Sequence, residues 1–363
     1  MNRIRVLALA SYPVEAASSR YRIAQFIEPL AARGIDVTFS PFLDASSFAS
    51  LYEPGKLLRR LPQVAFRTLL RLGAVFHSLR TDIVFVQREA MLFGPPIIEW
   101  LIARRRPLVL DLDDATWIPY ASPVYGRLAT FLKRPSKTNR LIRLARVVTC
   151  GSPNIAVHVQ ALGAQAEIVP TVVDTQRFKP GDRLASEIPT IGWIGSHGTY
   201  PFLERLVPIF ERLARERSFR LLIVGSGRAD IRVPGVDVEC RPWRMESEVA
   251  DFQSLDIGVY PIADDEWSAG KAGFKAVQYM ATGVPFVMSP VGVCATMGSP
   301  GRTHLTATSD DDWIDGLSRL LTDAEGRKQM STAGRAFAVE HYDIGPQADA
   351  LAEILRGVAG QQT

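Results

Sequence analysis

Residues 256–289, DIGVYPIADDEWSAGKAGFKAVQYMATGVPFVMS, decide how this chain is read. The two ends, DIGVYP (256–261) and PFVMS (285–289), are short apolar runs that predict buried strands. Between them Gly270 permits an open turn, and Gly283 followed by Pro285 predicts the stop of a helix running from about Lys271 to Thr282. On such a helix Lys271, Lys275 and Gln278 stand at i, i+4 and i+7 and form one polar stripe, with Phe274, Val277 and Ala281 on a different face. A helix N-terminus presents free N–H groups and about half a positive charge. Two ammonium groups on the same face make it a candidate diphosphate site, against the competing reading of a solvated lysine face.

Working outward, apolar runs at 4–10, 36–40, 82–87, 108–112, 147–150 and 167–169 alternate with helix-like segments at 19–33, 56–79 and 152–162. That rhythm predicts a doubly wound parallel sheet. It restarts after a polar, proline-bearing stretch at 179–189, with strands at 190–195, 219–225, 236–240, 256–260 and 285–289. The 363 residues suit two domains. The reading is an α/β chain with one Rossmann-like domain at 1–180, a second at 190–345 and a final helical segment at 346–363. Ligands of open α/β sheets sit at the carboxyl ends of strands, so two such domains are expected to face each other across one cleft.

Composition narrows the setting. Cys150, Cys240 and Cys294 are far apart and lack metal-ligand spacing, which predicts a reducing, cytoplasmic location without a disulfide framework. The apolar run in MNRIRVLALASYP is too short for a translocation signal and reads as the first strand. No apolar segment approaches the roughly 20 residues that span a bilayer. With a net charge of only +4, local basic clusters matter more than the total.

Residues 278–285, Gln-Tyr-Met-Ala-Thr-Gly-Val-Pro, and VPTVVDTQRFKP (169–180), with Asp174, Phe178 and Pro180, resemble two segments of the family-four retaining glycosyltransferases of the GT-B fold. The resemblance covers most of the C-terminal half and the N-terminal half in outline. It implies two Rossmann-like domains, the first for the acceptor and the second for the donor, a last helix that crosses back to the first domain, and transfer of a sugar with retention. The donor is then a nucleoside-diphosphate sugar, with no other cofactor and no metal. The family's ribose-binding glutamate falls on Gln278 and its partner on Gly270; an amide can still bond a ribose hydroxyl, without the strength of a carboxylate. The basic pair that the family carries after Gly195 is replaced by Ser196 and His197, which leaves Lys271 and Lys275 to offset the diphosphate charge.

Other stretches add candidates. GWIGSHGTYP (192–201) follows a strand and opens a helix near Tyr200, so Gly195, Ser196 and His197 are donor-binding candidates, with an ordinary loop histidine as the alternative. VLDLDDATW (109–117) ends a strand with Asp113 and Asp114, read as orienting the acceptor or a sugar hydroxyl. Asp111 and Asp113 also form an Asp-x-Asp pair that could hold a divalent ion, while a structural cap suits Asp111 best. In SYPVEAASSRYR (11–22), Arg20 is a candidate for the donor phosphate, and Trp243 could pack beside a nucleobase or simply in the fold. Residues 56–80 place Arg60, Arg67 and Arg71 on one helical face with Leu61, Leu69, Leu72, Phe76 and Leu79 elsewhere, and RRRP follows at 104–107. No acid interrupts them, which predicts peripheral contact with an anionic membrane at its inner face, or a sheet-covering helix with a basic outer side. Nucleic-acid binding lacks any motif.

The expected activity is glycosyl transfer to a glycan, glycolipid or small-molecule acceptor. A nucleotide-sugar epimerase, a sugar phosphorylase or a catalytically inactive nucleotide-sugar-binding protein are the alternatives.

Overall fold

The structure, a computed structural model, describes residues 3–49, 61–119, 134–182 and 187–360. They fall into two compact units. The first takes the described residues of 1–171, 270–272 and 344–363, and the second those of 172–269 and 273–343. The break at Thr171 and Val172 precedes the polar stretch at 179–189, of which 183–186 lie outside the described residues.

The first unit runs β1 (Ile4–Ala10), α1 (Ala17–Arg22), α2 (Ile27–Ala32), β2 (Ile35–Pro41), α3 (Ala45–Ala49), α4 (Leu61–Ser78), β3 (Ile83–Gln87), α5 (Ile97–Ala103), β4 (Leu108–Leu112), α6 (Lys137–Leu144), β5 (Val147–Cys150), α7 (Pro153–Ala161) and β6 (Ala166–Ile168). Its six strands are all parallel, in the order β2-β1-β3-β4-β5-β6. Crossover helices cover a parallel sheet on both faces, which is why its strands read as continuous apolar runs. Leu7, Leu9, Val84, Val86, Leu110 and Leu112 are buried against Ile98, Ile102, Leu141 and Ile155 from the helices. Pairing places Ala10 opposite Gln87, Gln87 opposite Asp111 and Asp111 opposite Thr149, so polar side chains line up where the strands end.

The basic segment is turned the other way from its reading. Arg60 lies outside the described residues, but Arg71 is buried and donates to the carbonyl oxygens of Ser40 at 2.9 Å and Ala10 at 3.0 Å. Arg67 pairs with Asp44 and donates to the Phe42 carbonyl. The arginine face of α4 is thus the inner one, because the open ends of β1 and β2 offer carbonyl oxygens that long guanidinium side chains can satisfy. Burial lowers the Arg71 pKa to about 10. The face left outside is apolar, with Phe66 60%, Leu69 65% and Phe76 73% exposed.

The second unit runs β7 (Thr190–Ile194), α8 (Tyr200–Glu204), α9 (Val207–Ala214), β8 (Arg220–Val224), β9 (Asp237–Arg241), α10 (Glu248–Gln253), β10 (Ile257–Tyr260), α11 (Glu266–Ala269), α12 (Phe274–Ala281), β11 (Phe286–Met288), β12 (Leu305–Thr306), α13 (Asp310–Thr322) and α14 (Ala324–Tyr342). Its sheet is again parallel, in the order β12-β11-β10-β7-β8-β9. Ile191, Trp193, Leu221, Ile223, Val259 and Val287 form its core with Phe210 and Leu317. Ser309 starts α13 with a capping box to Asp312. The stretch 169–180 is held here by Arg335, which donates to the carbonyl oxygens of Thr175, Phe178 and Ala281 at 2.6–2.7 Å. Asp174 accepts from the Gln176 N–H at 2.8 Å and closes the turn that buries Phe178. The last helix, α15 (Ile344–Gly360), belongs to the first unit and packs on α2.

Candidate functional site

Each sheet has one place where the winding reverses: β1 lies between β2 and β3, and β7 lies between β8 and β10. At such a reversal successive loops leave toward opposite faces, and the crevice at the carboxyl ends is where open α/β sheets take ligands.

In the second unit that crevice is lined by backbone. Gly195, just past β7, donates to the Val224 carbonyl at 3.0 Å, and Gly225, just past β8, donates to the Arg241 carbonyl at 2.9 Å. A β-carbon on Gly195 would lie 2.1 Å from the Trp193 indole. Gly225 has φ +82°, and its β-carbon would lie 2.4 Å from the Gly195 carbonyl oxygen and 3.1 Å from Trp243 Cβ. Only glycine fits at either position. Gly227 faces His197 at 3.4 Å by the same construction, so Gly195, Ser196, His197 and Trp243 are brought to one place together with Gly225 and Gly227. Thr199 Oγ1 accepts from the Ser196 N–H and donates to the Ser196 carbonyl, each at 3.1 Å, which fixes the loop before α8. Burial lowers the His197 pKa, so its imidazole is neutral at neutral pH.

The lysine stripe is not formed. Gly273 adopts φ +67°, and α12 starts only after it, at Phe274. A left-handed residue cannot continue into a right-handed helix, so Lys271 is cut off from the helix expected to carry it. Gly270, Lys271 and Ala272 group with the first unit, where a β-carbon on Gly270 would lie 2.3 Å from that of Ala115. Lys275 remains in the first turn of α12 and donates to Gln278 Oε1 at 3.0 Å. Gln278 is fully buried and donates to Glu248 Oε1 at 3.2 Å, so its amide holds neighbours and has no surface to offer a ribose.

In the first unit Arg20 is 5% exposed and donates to the carbonyl oxygens of Val14 and Glu15 at 3.1 and 3.0 Å, holding the loop after β1. Its neighbour Arg22 is buried against Asp111, with bonds of 2.5 and 3.0 Å, and Thr149 donates to the same carboxylate at 2.6 Å. Asp111 is therefore half of a buried ion pair and caps nothing. Removing one partner of such a pair costs about 3–5 kcal/mol, because the other charge is left buried and unpaired.

Asp113 and Asp114 meet a residue that the sequence reading missed. Arg88, just past β3, donates to Asp113 through Nε at 2.5 Å and Nη2 at 2.9 Å, and lies 3.4 Å from Asp114. Gln87 adds a bond to Asp113 at 2.9 Å. Desolvation opposes the charge on Asp113, but Arg88 outweighs it and holds the carboxyl below its usual range. Arg88 itself has φ +59°, a left-handed conformation that an arginine adopts at a cost. Among the described residues Gln87 Oε1 and Asp114 Oδ1 are buried and accept no hydrogen bond. Asp114, with 21% of its side chain exposed beside that guanidinium, is the carboxylate a hydroxyl-bearing ligand can reach. With Asp111 and Asp113 both committed to arginines, the Asp-x-Asp pair is not a free metal site.

Comparison with known proteins supplies the family. Residues 188–323 match the model of the glycosyl transferases group 1. A D-inositol 3-phosphate glycosyltransferase from Nocardia farcinica is 23% identical over 393 aligned positions, covering 93% of this chain and 85% of that one. Among solved structures, sucrose-phosphate synthase from Thermosynechococcus elongatus superposes with a TM-score of 0.73 at 15% identity, over 98% of this chain and 100% of the other. Anabaena HepE in complex with UDP-glucose superposes with a TM-score of 0.68 at 14% identity, over 98% and 100% of the two chains. Residues 188–323 thus match the glycosyl transferases group 1, and the chain is a glycosyltransferase of the GT-B fold.

Proposed function

We propose that the chain moves a sugar from a nucleoside diphosphate to an acceptor hydroxyl, with retention at the sugar carbon and without a protein-bound metal. The observation that carries the donor half is the glycine-lined crevice of Gly195, Gly225 and Gly227 beside His197 and Trp243, in the domain that matches the group 1 family. HepE, of similar fold, binds UDP-glucose. As the glycosidic bond breaks, negative charge grows on the leaving diphosphate, and Lys275 is the cation assigned to it. Asp114, whose side chain is partly exposed, is assigned to the acceptor hydroxyl, while Asp113 acts by fixing Arg88. Arg22 and Arg88 neutralise the carboxylates that would otherwise call for a divalent ion.

The proposed acceptor is lipid-linked, at the inner face of an anionic membrane. The outer side of α4 exposes Phe66, Leu69, Leu70 and Phe76, and neighbouring α5 exposes Ile97 and Trp100. Arg104 lies 3.6 Å from the centre of the Trp100 ring, and Arg80 and Arg105 are exposed nearby in the chain. The acid of α5, Glu99, is buried. Apolar and aromatic side chains with a basic rim, and no exposed acid among the described residues of α4 and α5, fit the headgroup boundary of an anionic bilayer.

The test is incubation with UDP-, GDP- and ADP-sugars in the presence of a chelator, with soluble and lipid-linked acceptors, reading the product's anomeric configuration by NMR. The expected product keeps the donor's configuration. Sugar conversion without any acceptor indicates an epimerase, phosphate-dependent cleavage a phosphorylase, and binding without turnover a nucleotide-sugar-binding protein.

A further inference from the structure

Two buried polar side chains meet behind the first turn of α12. Gln278 has no exposed surface, and Glu248, the first residue of α10, has 1%. Gln278 Nε2 donates to Glu248 Oε1 at 3.2 Å, and Gln278 Oε1 accepts from Lys275 Nζ at 3.0 Å. A carboxylate only accepts and an ammonium only donates, so an amide between them has one orientation that satisfies both. The Lys275 ammonium also lies 5.4 Å from the ring centre of Phe252, which α10 supplies together with Glu248. The helices α10 and α12 each begin in a connection that leaves the carboxyl edge of the sheet, from β9 and β10 in turn. That edge also carries Gly195, Gly225 and Trp243.

We infer that Glu248 is a positioning residue for donor binding, holding the Lys275 ammonium through the amide of Gln278. This rests on the donor reading above and names the part of the site that prepares it. The buried carboxylate polarises the amide, and the amide oxygen in turn fixes the ammonium. A lysine already held in one geometry loses less rotamer freedom when it meets a phosphate. The same relay accounts for an amide at position 278. A carboxylate there would stand at hydrogen-bonding distance from buried Glu248, and one of the two would have to take up a proton.

The experiment is titration of the full chain with whichever of UDP, GDP and ADP the wild type binds tightest, alongside the parent nucleoside and a thermal melt. Glu248→Gln keeps an acceptor for the Gln278 amide but removes the charge; it is expected to weaken diphosphate binding about tenfold and nucleoside binding little. Gln278→Glu, with two carboxylates in contact, is expected to lose at least as much. The double variant Glu248→Gln/Gln278→Glu puts the charge directly beside Lys275 and is expected to recover to within about threefold of the wild type. Equal losses for diphosphate and nucleoside, or a double variant no better than Gln278→Glu, would mean that the pair only stabilises the fold and would overturn the inference. Lys275→Ala separates the two readings. If it loses diphosphate affinity while Glu248→Gln does not, the relay fails and the donor reading stands. If it binds the diphosphate like the wild type, or if the wild type binds none of the three nucleotides, the donor reading fails and the relay falls with it.

Discussion

At the scale of single residues, Asp113 and Asp114 share one guanidinium unequally: Arg88 donates to Asp113 at 2.5 and 2.9 Å and lies 3.4 Å from Asp114. Asp113 and Asp114 could be picked out because carboxylates at the end of an apolar strand have no place in a core. Arg88 could not, since nothing in FVQRE announces a left-handed arginine or says that it turns onto the next strand. Arg20 and Arg22 sit two residues apart with the same chemistry, yet one closes its own loop and the other pairs with Asp111. The resulting expectations differ for the two aspartates. Asp114→Asn removes the charge of a partly exposed carboxylate and should leave the fold and nucleotide affinity intact while slowing transfer at least about tenfold; an unchanged turnover number would take Asp114 out of the site. Asp113→Asn strands a half-buried guanidinium and should lower the melting temperature as well. The sign with pH follows from the depressed pKa. The Arg88–Asp113 pair contributes fully above the ordinary aspartate value of 3.8 and is lost as pH falls below it through the folded value. Acid melts of the wild type and Asp113→Asn should therefore converge below that pH, and a gap that persists there would contradict the assignment.

At the scale of elements, strands were easier to read than helix faces. Buried parallel strands are continuous apolar runs, so their positions follow from composition; β12, with two residues at the sheet edge, is too short to leave such a run. The start of α12 depends on which of two nearby glycines takes a positive φ, and residue type does not distinguish Gly270 from Gly273. The face of α4 was inverted for a similar reason. Arginine periodicity shows that a basic stripe exists, but whether it meets water or open carbonyl groups is decided by β1 and β2. The membrane expectation changes with it. A basic outer face implies attachment that salt abolishes, whereas an apolar outer face with a basic rim implies attachment that salt only weakens. Sedimentation with vesicles of phosphatidylcholine and phosphatidylglycerol should recover the wild type in the pellet. Phe66→Ser/Phe76→Ser should stay in the supernatant, because each phenyl side chain contributes about 1.5–3 kcal/mol when taken out of water. Equal pelleting of that variant, or no wild-type pelleting on anionic vesicles, would rule out the face as a lipid contact.

At the scale of the whole molecule, two Rossmann-like halves were visible in the restart of the strand rhythm, whereas the return of the last helix to the first half was implied only by the family resemblance. The first unit is completed by α15, which is separated from it by the whole second half of the sequence. Ala348, Leu351, Ala352, Leu355 and Val358 are buried, and the ends of the contact with α2 are fixed by polar bonds. Arg33 Nε donates to Asp349 at 2.6 Å, Arg33 Nη2 to the Gly345 carbonyl at 3.2 Å, and Arg356 to the Arg33 carbonyl at 2.8 Å. Apolar spacing shows that 346–357 is amphipathic, yet amphipathicity does not say which sheet receives it. A chain stopped at Asp343 tests the assignment. At about 1.5–3 kcal/mol for each large apolar side chain, losing Leu351, Leu355 and Val358 removes an amount comparable with the roughly 5–15 kcal/mol that holds a domain folded. Calorimetry of the truncated chain should therefore show the first unit melting far below its full-length temperature, or already unfolded. The second unit, whose 172–178 segment is held by Arg335 and Asp343, should melt nearly where it did. Loss of the second unit's transition with the first unit's preserved would mean that α15 stabilises the other half of the molecule.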